Sequence, residues 1–283
     1  MSFSRAQSAR LALALAGAAS LAACKKEAPA APSSQTVVIS ATDYAFTMPD
    51  TIQSGVVHFK LVNAGPSMHH AAIAHITQGR TWDSLMAALH GPPGPPPAWM
   101  EFVGSPNVTA PTGLDTVEVV DNLQPGLYAV LCVIPDSAGV PHFAHGMMKQ
   151  LTVVAATGPG EAEPTADLQV TLSDFDFTFD KPVSAGRHVI KITNAAQQAH
   201  EMVIVRLDSG ATAPGFVSWV HAGMKGRPPV TPRGGVVGLA PGGSTYLVVN
   251  LPAGNYGLVC FIPDAHDGKE HTEHGMVKQI TVS

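Results

Sequence analysis

Residues that bind soft metal ions recur twice, in the same order, along this 283-residue chain. One set is His69, Cys132, His142 and Met147; the other is His200, Cys260, His271 and Met276. Thiolate and thioether sulfur suit Cu(I), and imidazole nitrogen suits Cu(II). A mixed set holds either oxidation state with little movement, which is what single-electron transfer requires. The two sets keep register: the offset is 131 for the early histidine, 128 for the cysteine and 129 for the methionine. The expectation is one copper ion in each half.

Rival donors stand close by. His145 and His274 lie two residues before each methionine and compete with His142 and His271. His70 competes with His69, but Glu201 fills the matching place in the second half, so His69 is preferred. Nine residues separate Cys132 from His142 and ten separate Cys260 from His271, and both inserts begin Ile-Pro-Asp. His58, His75, His90, His188, His221 and His266 have no partner at the matching repeat position and read as surface or packing residues.

The elements that must position these donors are strands. Residues 36–154 and 168–283 align with each other, from Asp43-Tyr44-Ala45-Phe46 on Asp174-Phe175-Asp176-Phe177 to His145-Gly146-Met147 on His274-Gly275-Met276. Residues 155–167 read as a linker. Apolar-polar alternation marks strands at Thr36–Ala41, Val56–Val62, Thr116–Val120, Leu127–Ile134 and Lys149–Val154, with counterparts at Leu168–Leu172, Arg187–Thr193, Thr245–Asn250, Tyr256–Ile262 and Lys278–Val282. Gly234-Gly235 and Gly242-Gly243 read as turns, and Gly91–Pro97 as a stiff loop. Trp82, Leu85, Met86 and Leu89, after Thr81, predict a short helix, as do Phe216, Trp219 and Val220. The expected architecture is all-β: two tandem Greek-key β-sandwich domains, each with a short inserted helix, and one end of each sandwich gathering the four donors.

His142-Phe-Ala-His-Gly-Met147 and His271-Thr-Glu-His-Gly-Met276 both fit His-x4-Met after a cysteine, and Asn63-Ala64-Gly65…His69 and Asn194…His200 precede them. With these motifs the chain resembles the cupredoxins, in particular the plastocyanin-like branch, over nearly all of both repeats. The resemblance implies a blue-copper ligand set: Cys132, His69 and His142 in a plane with Met147 axial, and Cys260, His200 and His271 with Met276. It departs from that family in the length of both Cys-to-His loops.

The first 24 residues read as an export signal: Arg5 and Arg10, an apolar run from Leu11 to Leu21, then Leu21-Ala22-Ala23-Cys24. The last four resemble a bacterial lipobox, which implies lipidation at Cys24, with residues 25–35 as a tether. The expected setting is the cell envelope or periplasm, membrane-anchored, with redox proteins of the envelope as partners. Net charge is −5 with no basic cluster beyond Lys25-Lys26, which argues against nucleic acid. Charged residues are only 13%, while Gly (27) and Pro (24) are abundant, as in a turn-rich β protein. Neither a Gly-x-Ser-x-Gly elbow, a phosphate loop nor His-Glu-x-x-His occurs, and the absence of His-x-His and His-Cys-His argues against a two-domain copper oxidoreductase. An electron carrier rather than an enzyme is expected. Copper storage or delivery is the alternative, with Met68 and Met148 as further thioethers.

Overall fold

The alternating segments become strands in the computed structural model, which describes residues 34–92, 94–111 and 116–283. The export signal, Cys24 and nearly all of the tether lie outside the described residues. The first half contains β1 (Gln35–Thr42), β2 (Ala45–Thr47), β3 (Thr51–Gln53), β4 (Gly55–Asn63), β5 (Ala72–Ile76), β6 (Met100–Pro106), β7 (Val117–Leu123), β8 (Gly126–Leu131) and β9 (Met148–Val154). The second contains β10 (Leu168–Ser173), β11 (Asp176–Phe179), β12 (Gly186–Asn194), β13 (His200–Leu207), β14 (Val230–Leu239), β15 (Ser244–Leu251), β16 (Gly254–Val259) and β17 (Val277–Val282). Helix α1 (Trp82–Leu89) follows β5 and α2 (Ala213–His221) follows β13. Thr81 caps α1 by accepting from the Ser84 backbone, and Thr212 caps α2 from Gly215. Both helices stand where the apolar spacing predicts them.

Two sheets form. Their strand orders are β11-β10-β12-β15-β7-β4-β1-β2 and β17-β16-β13-β14-β6-β5-β8-β9-β3. Apart from β3, each order reads as one half followed by its own repeat in reverse. The halves meet where equivalent strands pair antiparallel, β15 on β7 and β14 on β6. The sandwiches are therefore joined edge to edge through both sheets. The 155–167 linker is tied down as well: Glu161 meets His58, and Glu163 accepts from Asn122 of one half and Tyr246 of the other.

Sequence reasoning missed β5 and β13, the short edge strands β2, β3 and β11, and the junction strands β6 and β14. Gly234 and Gly235 are not turn residues; they lie inside β14 with φ of +93° and +114°. A Cβ on Gly235 would collide with the Met202 carbonyl of β13, so only glycine allows these strands to approach.

Each half has a main core, the second also taking in Val117 and Val119 of β7, and each includes that half's cysteine and methionine: Cys132 with Met147, and Cys260 with Met276. The strand that delivers each cysteine is pinned by a buried tyrosine four residues earlier. Tyr128 donates its hydroxyl to the Gln124 carbonyl at 2.8 Å, and Tyr256 donates to the Pro252 carbonyl at 2.6 Å.

At the β7–β15 seam, Asp121 is buried and accepts from Thr245 Oγ1 at 2.5 Å, leaving Oδ2 without a partner. Burial pushes its carboxyl up to about 7. As pH rises from the normal aspartate range towards 7, the unfolded chain ionises here while the folded chain does not, so stability is lost across that window. Asp121→Asn removes this penalty. Urea titrations should find the variant's advantage growing from pH 4 to pH 7, reaching on the order of 2–4 kcal/mol. A pH-independent difference would contradict this account.

Candidate metal centres

Each early histidine arrives on a loop locked by an asparagine. Asn63 ends β4 and donates to the Ser67 and Thr109 carbonyls while accepting from the Gly65 backbone. Asn194 ends β12 and does the same with Gln198, Leu239 and Ala196. These closed loops set down His69 and His200, both with fully buried side chains.

The long Cys-to-His inserts fold back on themselves. Asp136 of the first Ile-Pro-Asp accepts from the Ala138 and Val140 backbones, and Asp264 of the second accepts from His266 and Asp267. Each excursion then closes: His142 N–H donates to the Ile134 carbonyl at 2.9 Å, and His271 N–H to Ile262 at 3.0 Å. The extra residues thus form a side loop, and the second histidine returns to the cysteine. The glycine before each methionine, with φ of +99° at Gly146 and +95° at Gly275, makes the next turn. The backbones of Met147 and Met276 then bond to those of His142 and Cys132, and of His271 and Cys260.

The donors converge in both halves. His69 Nδ1 lies 3.9 Å from Cys132 Sγ, and His142 Nδ1 lies 3.4 Å from it. In the second half the distances are 3.9 Å for His200 Nδ1 and 3.3 Å for His271 Nδ1 from Cys260 Sγ. Sulfur and nitrogen ligands at about 2.3 and about 2.0 Å from a shared ion, subtending about 110–120°, would stand about 3.5–3.7 Å apart. The observed pairs bracket that separation. Met147 and Met276 are fully buried in the same cores.

The first histidine of each set is oriented by an aspartate. His69 Nε2 meets Asp43 Oδ1 at 2.6 Å, and His200 Nε2 meets Asp174 Oδ1 at 2.7 Å. A ring that donates from Nε2 to a carboxylate carries its lone pair on Nδ1, the atom facing sulfur. Burial tends to raise the Asp43 carboxyl, but hydrogen bonds from Ser67 and His69 outweigh it and hold the group below its usual value. Asp43 therefore stays ionised as the acceptor.

The rival histidines meet other partners. His145 Nε2 pairs with Asp136 at 2.9 Å and His274 Nε2 with Asp267 at 3.1 Å, both partly exposed. An aromatic ring stands between rival and inner histidine. Tyr44 stacks on His145 and tilts against His142, and Phe175 does the same with His274 and His271. His70 is also absent from the donor group, because its Nε2 accepts from the Val133 backbone at 3.0 Å.

The electrostatics suit a cation. Burial pushes the Cys132 thiol up to about 11 and raises Cys260 well above the ordinary range, where the Glu201 carboxylate adds to the effect. A thiolate in either place needs a positive ion beside it. Burial also lowers His69, His142, His200 and His271, the last to about 4, which keeps the imidazoles neutral and able to ligate. Both described cysteines are free and buried. A soft thiolate and two imidazoles, buried in the same core as a methionine, form a donor set that fits copper.

Fold and site together define a two-part β-sandwich with a duplicated His/Cys/His metal centre. Solved structures to which the chain is similar include reduced auracyanin from the photosynthetic bacterium Roseiflexus castenholzii, at 21% identity, over 43% of this chain and 98% of that one, with a TM-score of 0.31. The Cu-containing nitrite reductase of Thermus scotoductus matches at 15% identity over 88% of this chain and 61% of that one, with a TM-score of 0.24. The copper nitrite reductase of Nitrosomonas europaea matches at 14% over 89% and 94%, with a TM-score of 0.25. No family model and no curated protein matches the chain.

Two features escaped sequence reasoning. Asp43 and Asp174 were legible as a repeat pair, each 26 residues before its histidine, yet nothing in the residue type alone marked them as ring acceptors. Asn107, which donates to Glu201 and the Val236 carbonyl of the other half, has no counterpart in the second half.

Proposed function

We propose that this chain is a lipid-anchored copper protein of the cell envelope that accepts and donates single electrons through two type 1-like centres. The observation that carries the reading is the buried cysteine faced by two imidazole Nδ1 atoms, built twice with the same orienting aspartate. Bound copper would supply the one-electron couple. Cys132, His69 and His142 would hold it in the first half, and Cys260, His200 and His271 in the second, with Met147 and Met276 as the candidate thioether donors. The protein's own work is to keep the donors dry and preset, so that little moves when charge changes. Complete burial of both cysteines favours a retained ion over exchangeable cargo. Anchorage through Cys24 and redox proteins of the envelope as partners rest on the export signal and lipobox-like segment.

The test is to load purified protein with Cu(II) and record metal content, visible absorption and the paramagnetic resonance spectrum. The expected result is two copper ions per chain with an intense thiolate-to-copper band. Rapid loss of copper to a chelator would favour storage or delivery, and more than two tightly held ions would favour an oxidoreductase.

A further inference from the structure

Residues 70 and 201 hold matching places, one after each early histidine, yet one is His and the other Glu. Both are buried. Both side chains accept a hydrogen bond from the residue that follows the cysteine. Val133 donates its backbone N–H to His70 Nε2 at 3.0 Å. Phe261 donates its N–H to Glu201 Oε1 at 2.9 Å. The Glu201 backbone N–H also donates to Cys260 Sγ at 3.3 Å. In each half this side chain therefore holds the peptide that leaves the cysteine.

The charge differs. An imidazole nitrogen that accepts carries no proton, so the His70 ring is neutral, with its proton on Nδ1. Glu201 uses both oxygens as acceptors, because Oε2 takes a hydrogen bond from Asn107 Nδ2 at 3.2 Å. That is the pattern of an ionised carboxylate, which only accepts. The aspartates that orient His69 and His200 are matched between the halves, whereas the Glu201 carboxylate has no acidic counterpart at residue 70. A buried negative charge beside the cysteine attracts the ion more strongly as the ion gains positive charge. It therefore favours Cu(II) over Cu(I) at that centre.

We propose that the Glu201 side chain makes the two centres unequal, holding the second at a lower reduction potential than the first. This deepens the copper reading above and rests on it. One electron from an outside donor settles at the first centre while the second stays oxidised; no bond is made or broken. Glu201 is a positioning residue here and not a ligand: it acts through the peptide after Cys260 and through its charge.

The experiment is a redox titration of the full chain loaded with copper. Each centre is followed at its own band, assigned beforehand from Cys132→Ser and Cys260→Ser chains. The titration is run at pH 8, because burial raises the Glu201 carboxyl to about 7. In the parent chain the second centre should have the lower potential. In Glu201→Gln its ratio of Cu(I) to Cu(II) at a fixed potential should rise on the order of tenfold, equivalent to about 59 mV for one electron. The first centre should not move. Glu201→His, which copies the first half, should shift the second centre in the same direction and serves if the glutamine variant does not fold. An unchanged second potential with both bands intact overturns the proposal, as do equal shifts at both centres or a parent chain whose second centre is not the lower. Loss of the second band in both variants would make Glu201 a structural residue and overturn it too. A parent chain without two thiolate bands would instead refute the copper reading.

Discussion

Replacing Cys132 with serine should halve the copper bound per chain and erase one thiolate band, leaving the band of the other half intact. Serine nearly matches the thiol in size, so the fold should tolerate it, but a hydroxyl is hard and does not ionise in a buried pocket. The two cysteines lie in separate cores, so loss at one centre should not empty the other. Cys260→Ser should mirror this result, and the double variant should lose all tight copper. Metal analysis with visible spectra reads each outcome. If Cys132→Ser keeps both bands, the first centre is not built on that sulfur.

Asp43→Ala should weaken copper binding at the first centre by about 10–100-fold, the usual cost of removing the acceptor behind a ligating histidine. The side chain holds His69 Nε2 at 2.6 Å and is itself held by Ser67 at 2.8 Å. Without it the ring is free to carry its proton on Nδ1, the atom that faces Cys132. Asp174→Ala should do the same at the second centre, where Gln198 as well as His200 meets the carboxylate. Competition with a chelator of known affinity measures both. Unchanged affinity in both variants would mean that the pairs stabilise the loops and do not tune the ligand.

Much of this was readable from residue types because the chain repeats. A lone His, Cys or Met carries little information, but a quartet recurring at offsets of 128 to 131 separates donors from bystanders. The strands with plain alternation were legible too, and so were both capped helices. Glycine hid β6 and β14, because Gly104, Gly234, Gly235 and Gly238 serve close strand approach and at the same time mimic turn signals. The choice of His142 over His145 was open in sequence. In space His142 faces the cysteine, while Asp136, which closes the side loop, pairs with the rival imidazole. Asn107 gave no signal because its bonds to Glu201 and the Val236 carbonyl exist only across the junction of the halves.

The mirrored strand orders have a further meaning. When equivalent edges pair antiparallel in both layers, the join has the geometry of a two-fold homodimer, written here into a single polypeptide. Cut apart, each half would expose two bare edges of backbone donors and acceptors, which invite self-association. Fusion fixes the partner and removes the dependence on concentration. It also lets the two sides of the join differ, as at His70 in one half and Glu201 in the other.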